Sequence, residues 1–149
     1  MIAIGQPAPD FTAPDEHGTP VSLSSFRGRP LVLFFFPKAN SMGCTLETRA
    51  FAERFSEFRD AGWAVVGISV DSVAEQARFA GKCGAGFPLL SDHDRSIARA
   101  YGVLGFLGMA RRVTFLLDPE GKVTEVVNAI TPKTHVSRSL ERLRSPPTK

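Results

Sequence analysis

Residues 31 to 44 read LVLFFFPKANSMGC, an unbroken apolar run closed by Pro37 and followed at position 44 by one of only two cysteines in the chain. A continuous apolar run of this length, bounded by Pro30 and Pro37, fits a strand buried on both faces. Such strands belong to sheets covered by helices on both sides, and open α/β sheets place their ligands in the loops at the carboxyl ends of the strands. PKANSMGC occupies that position.

Working outward, TLETRAFAERFSEFRDAG places Phe51, Phe55 and Phe58 at helical spacing and ends near Gly62, so a strand, a short loop and a helix follow one another. WAVVGISV, 63–70, reads as a second buried strand. The helix after it spans 72–83, with Asp71 or Ser72 as its N-cap and Gly84 as its stop. FPLLSD, 87–92, reads as a short edge strand and DRSIARAYGV as a short helix. RRVTFLLD, 111–118, and KVTEVVNAI, 122–130, are strands joined by the tight turn PEG. Residues 132–144 form a last amphipathic helix carrying Val136, Leu140 and Leu143, and SPPTK reads as a frayed tail. Before all of these, EHGTP at 16–20 turns a hairpin between two short strands. The order predicts an α/β fold with a central mixed sheet flanked by helices and an N-terminal β-hairpin.

At 149 residues the chain has the length of one domain, 1–149, with no repeat or linker to divide it. Its 43% hydrophobic and 22% charged content argues against disorder, and LVLFFF is far short of the roughly 20 residues of a membrane span. The first residues lack the basic and extended apolar regions of a secretory signal, which predicts a cytoplasmic protein. A net charge of +3 without a basic stripe falls short of a nucleic-acid footprint. His17, His93 and His135 lie far apart and away from either cysteine in sequence, without metal-ligand spacing, so no metal is expected.

Two cysteines in a cytosolic chain are free thiols, catalytic thiols or a transient pair more often than a staple. Cys44, with the helix starting at or just after it, would sit where unpaired amides and the helix dipole favour an anion, as a reactive thiolate requires. Gly43 permits close backbone approach to a small ligand, and Ser41 could aim a hydroxyl at the same spot. The alternatives are a small buried hydrophobe at 44 and a plain cap at 41. Cys83 closes the 72–83 helix. At about 100° per residue Val73, Ala77 and Ala80 share one face, with Cys83 semi-exposed on its flank.

FFFPKANSMGCT resembles the active-site motif of the peroxiredoxins, Pro-x-x-x-(Thr/Ser)-x-x-Cys. GQPAPDF, VVGISVDS, FPLLSD, RRVTFLLDPEGKV and the last helix extend the resemblance, in order, to the bacterioferritin comigratory protein or peroxiredoxin Q subfamily. The resemblance implies a thioredoxin-like fold and a peroxidase that reduces hydrogen peroxide and organic hydroperoxides with no bound cofactor. It assigns Cys44 as the peroxidatic cysteine, Pro37 as its shield from water, Ser41 as a hydrogen-bond partner of the peroxide, and the amides of Gly43 and Cys44 as holders of its oxygens. The family arginine precedes a strand reading x-Thr-Phe, which selects Arg112 over Arg111. Glu47 matches a glutamate that would orient this arginine, although a first-turn glutamate favoured by the helix dipole serves as well.

Where many members of the subfamily carry a resolving cysteine, this chain has Arg49, so the alternative known in the subfamily falls on Cys83, as resolving thiol or as packing residue. Thioredoxin or a similar dithiol is the implied reductant, and a monomer or weak homodimer the implied state. Ala39, Met42 and Ser41 depart from the usual aspartate, proline and threonine. A thioredoxin-type reductase would need C-x-x-C, and SMGC lacks it; a binding or holdase module with a vestigial cysteine is the reading from another class. GVLGFLGMA, 102–110, is either a packing loop or a surface for bulky hydroperoxides or a partner.

Overall fold

A computed structural model describes residues 1–144; the SPPTK tail lies outside the described residues. Its strands are β1 (Thr12–Pro14), β2 (Pro20–Ser22), β3 (Leu31–Phe35), β4 (Ala64–Ser69), β5 (Leu89–Ser91), β6 (Val113–Leu117) and β7 (Val123–Val127). The helices are α1 (Met42–Asp60), α2 (Val73–Cys83), α3 (Ser96–Tyr101) and α4 (Pro132–Arg144), with short 3-10 turns at Leu23–Phe26 and Phe106–Gly108 that the sequence reading did not anticipate.

β1 and β2 form the expected hairpin, and the other five strands form one mixed sheet in the order β5-β4-β3-β6-β7. β3 is its centre, parallel to β4 and antiparallel to β6. Strand alternation explains why every residue of LVLFFF is apolar. Leu31, Leu33 and Phe35 enter the core beneath α3, with Tyr101 and Phe115. Val32, Phe34 and Phe36 enter the opposite core, with Phe51 and Phe58 of α1, Phe79 of α2 and Leu140 of α4. Phe34 stacks on Phe51 with ring centroids 4.6 Å apart. Gly67 of β4 makes room for this layer, because a Cβ there would stand 2.7 Å from Phe34 Cζ.

β5 is an edge strand, as FPLLSD suggested, and the hairpin covers it: Leu89 N donates to Glu16 Oε2 at 2.8 Å. At the opposite edge the N-terminal segment lies against the head of β7, with Gly5 N on Val123 O and Val123 N on Gln6 O. The 102–110 loop turns Val103 and Ala110 into the core, Arg95 Nε holds Gly108 O at 2.7 Å, and Leu107 points outward. Among the described residues no helix is long and apolar enough to cross a membrane.

Candidate active site

The loop between β3 and α1 is held from below. Ala39 N donates to Asp71 Oδ2 at 2.7 Å, and the Ser69 hydroxyl donates to the same oxygen at 2.7 Å. Gln76 Nε2 in turn donates to Ser69 Oγ and Leu90 O. Asp71 is therefore not the cap of α2. Ser72 is, in a capping box with Glu75, which frees Asp71 to tether the loop.

The loop reaches the left-handed region at Asn40 (φ 64°) and then enters α1. The helix starts at Met42, two residues before Cys44 rather than at or after it. Ser41 is its N-cap: the hydroxyl donates to Lys38 O at 2.9 Å and accepts from Cys44 N at 3.4 Å. One lone pair of Ser41 Oγ remains for a ligand. The amide of Cys44 is turned toward Ser41 Oγ. Pro37 is half-buried where the chain leaves β3.

Cys44 is fully buried among Val32, Phe36, Ala39 and Phe79 of its cluster. Arg112, just before β6, brings Nη2 to 3.4 Å from Cys44 Sγ and donates from Nη1 to Glu47 Oε1 at 2.7 Å. Arg111 is exposed and Arg112 is partly buried. The guanidinium also crosses Gly43: a Cβ there would lie 2.9 Å from Nη2. The close approach that Gly43 permits is made by the protein's own arginine.

Glu47, one turn after Cys44, is fully buried, and burial pushes its carboxyl up to about 7 against the pull of Arg112. Its Oε2 has no hydrogen-bond partner among the described residues. Behind it lies His135 of α4, also fully buried, with Nδ1 3.7 Å from Glu47 Oε2, 2.8 Å from Thr114 Oγ1, and Nε2 2.6 Å from Ala129 O. Sequence reading set His135 aside as remote from both cysteines. The available signal was its place on the α4 stripe beside Val136 and Leu140, where a polar residue needs partners.

Cys83 departs from expectation. Gln76, Phe79 and Cys83 form the buried face of α2, so Cys83 is on the buried stripe and only 7% exposed, not on a half-exposed flank. It belongs to the same aromatic cluster as Cys44, and both are free thiols. Burial pushes the Cys83 thiol up, while Arg49 and Lys82 pull it down. Arg49 Nη2 donates to Lys82 O at 3.3 Å, linking α1 to the last turn of α2.

This assembly can do one kind of chemistry well. A sulfur at a helix N-terminus faces a permanent cation whose other arm is anchored, so negative charge on the sulfur, or on an oxygen leaving beside it, is offset without reorganisation.

Residues 4–126 match the model of the AhpC/TSA family. A chloroplastic peroxiredoxin Q of Sedum lineare is 39% identical over 147 residues, covering 97% of this chain and 79% of that protein. The crystal structure of peroxidoxin BcpB from Mycobacterium tuberculosis superimposes with a TM-score of 0.92 at 36% identity, over 99% of this chain and 100% of that one. A Xanthomonas campestris bacterioferritin comigratory protein, described for its alkyl peroxide reduction activity, superimposes with a TM-score of 0.84 at 33% identity over 90% of each chain.

Proposed function

The chain belongs to the AhpC/TSA family, as a thiol peroxidase with the thioredoxin-like fold of the peroxiredoxins, and we propose that Cys44 is its peroxidatic cysteine. The observation that carries this reading is the 3.4 Å contact between Arg112 Nη2 and Cys44 Sγ on the first turn of α1.

The Cys44 thiolate attacks one oxygen of a hydroperoxide, the S–O bond forms as the O–O bond breaks, and the leaving oxygen takes a proton as water or an alcohol. Cys44 becomes a sulfenic acid. Arg112 stabilises the charge that moves from sulfur to oxygen, Glu47 anchors Arg112, and Ser41 accepts from the peroxide hydroxyl with its remaining lone pair. The Gly43 amide holds a peroxide oxygen, and the Cys44 amide joins it once released by Ser41. Pro37 keeps water from the sulfur. Because Cys44 is fully buried, the 37–43 loop must shift to admit the substrate.

Cys83 then attacks the sulfenic sulfur, giving a disulfide and one water, and a dithiol such as thioredoxin reduces it. A disulfide needs Cα atoms roughly 4.4 to 6.8 Å apart, so α2 unwinds at its last turn to deliver Cys83. Its depth in the aromatic cluster favours a second reading, a one-cysteine enzyme resolved by an external thiol. The enzyme works as one domain, in the cytoplasm, as a monomer or weak homodimer.

Intact mass and peptide mapping after one equivalent of hydrogen peroxide, on the wild type and on Cys83→Ser, test the scheme. A loss of about two hydrogens with a Cys44 to Cys83 linked peptide in the wild type is expected. A persistent sulfenic acid on Cys44 with Cys83 free would select the one-cysteine route. Two unreacted thiols would overturn the role of Cys44 and leave a binding module.

A further inference from the structure

Behind the Arg112 and Glu47 pair, Thr114 and His135 have no part in the scheme above, yet both are fully buried. Their hydrogen bonds fix where each proton lies. The Ala129 carbonyl can only accept, so His135 Nε2 carries the ring proton. In the neutral ring Nδ1 is then a bare lone pair, and the Thr114 hydroxyl donates to it.

Both donors of this group are thereby turned away from Glu47. Its Oε2 faces the Nδ1 lone pair at 3.7 Å and has no partner. A buried carboxylate ordinarily gathers several donors, since leaving an oxygen unpaired costs about 1 to 3 kcal/mol. Here a single guanidinium nitrogen serves it.

We propose that His135, fixed by Thr114, is a positioning residue for peroxide reduction: by withholding a donor from Glu47 it leaves Arg112 as that carboxyl's hydrogen-bond partner among the described residues, and so ties the hold of Arg112 on Cys44 to the charge of Glu47. The proposal rests on Cys44 being the nucleophile. It gives the arginine clamp a pH dependence of its own. The titratable groups facing Glu47 are Arg112 before β6 and His135 on α4, with Cys44 of its own helix on the far side of the guanidinium. Arginine stays charged throughout. Burial pushes His135 down, so its ring stays neutral near neutral pH. Glu47, pushed up to about 7 by burial, is the group behind the arginine that changes charge there, and the clamp tightens as pH rises through that value.

The test uses a Cys83→Ser background, so that one thiol remains. The second-order rate of Cys44 oxidation by hydrogen peroxide is followed from Trp63 fluorescence across pH 5 to 9, and thiolate absorbance at 240 nm is titrated in parallel. Dividing rate by thiolate fraction removes the ionisation of the nucleophile itself. This normalised rate is expected to rise about tenfold through pH 7, and to be flat in Glu47→Gln. In His135→Gln, whose amide can donate to Oε2, the rise moves down by about one pH unit. Thr114→Val, which frees Nδ1 to take a proton and face Glu47, moves it the same way and serves where His135→Gln does not fold. An unmoved rise in the folded variants, with the rate lowered equally at every pH, would reduce His135 to a packing residue. So would a normalised rate without pH dependence in the parent. A parent whose thiol is not oxidised at all would remove the nucleophile assignment first, and the proposal with it.

Discussion

Gly43 and Arg112 share one volume: a Cβ at position 43 would lie 2.9 Å from Arg112 Nη2, the nitrogen that faces Cys44 Sγ at 3.4 Å. Gly43→Ala therefore displaces the guanidinium rather than the backbone, because the clash falls on the far end of a flexible side chain. The variant is expected to keep its melting temperature within a few degrees and to lose about tenfold or more in kcat/KM for hydrogen peroxide, read by stopped-flow fluorescence. A large fall in melting temperature with unchanged rate would contradict the assignment.

Arg112 must serve two partners at once, and only a forked side chain does so. Arg112→Lys keeps the charge but cannot span Glu47 and the sulfur together. It is expected to lose activity nearly as fully as Arg112→Met, each by roughly 10²- to 10³-fold in kcat/KM. Full activity in the lysine variant would show that charge alone suffices.

Glu47 makes stability depend on pH in a stated direction. Its carboxyl binds a proton more tightly folded, at about 7, than in the unfolded chain, at 4.5. The native state therefore holds the extra proton between these values. This contribution is complete below pH 4.5 and lost as pH rises through 7, in the sense opposite to a salt-bridged surface carboxylate. Urea unfolding at pH 4.5 and 8 should show the wild type losing on the order of 3 kcal/mol more than Glu47→Gln over that interval. Parallel curves for the two proteins would contradict it.

Asp71→Ala removes one acceptor from two buried donors, Ala39 N and Ser69 Oγ. Each unpaired donor costs about 1 to 3 kcal/mol. The melting temperature should fall by roughly 5 to 10 °C, and faster amide exchange at Ala39 should locate the loss in the active-site loop.

What the sequence could reveal divides along contact range. LVLFFF declared a two-sided strand because alternation leaves its mark on consecutive residues, and Ser72 to Gly84 declared a helix because its cap and stop are local. Arg112 and Cys44, 68 residues apart, were paired only through family resemblance. Neither pattern nor resemblance reached His135, whose meaning depends on α4 packing against α1. The spacing of Val73, Ala77 and Ala80 predicts a small-residue inner face for α2 with Cys83 on its flank. The larger Phe79 takes that face, and Cys83, four residues on, follows it inward.

The two ends of the sheet have a further consequence. An exposed edge strand offers unpaired amides and carbonyls to any neighbouring chain, and soluble sheets that leave one open risk polymerising through it. Here the Glu16 side chain accepts from the Leu89 amide at one edge, and residues 5 and 6 occupy Val123 at the other. A second copy approaching either edge thus meets a position already taken, Leu89 on one side and Val123 on the other, before it can pair along the strand.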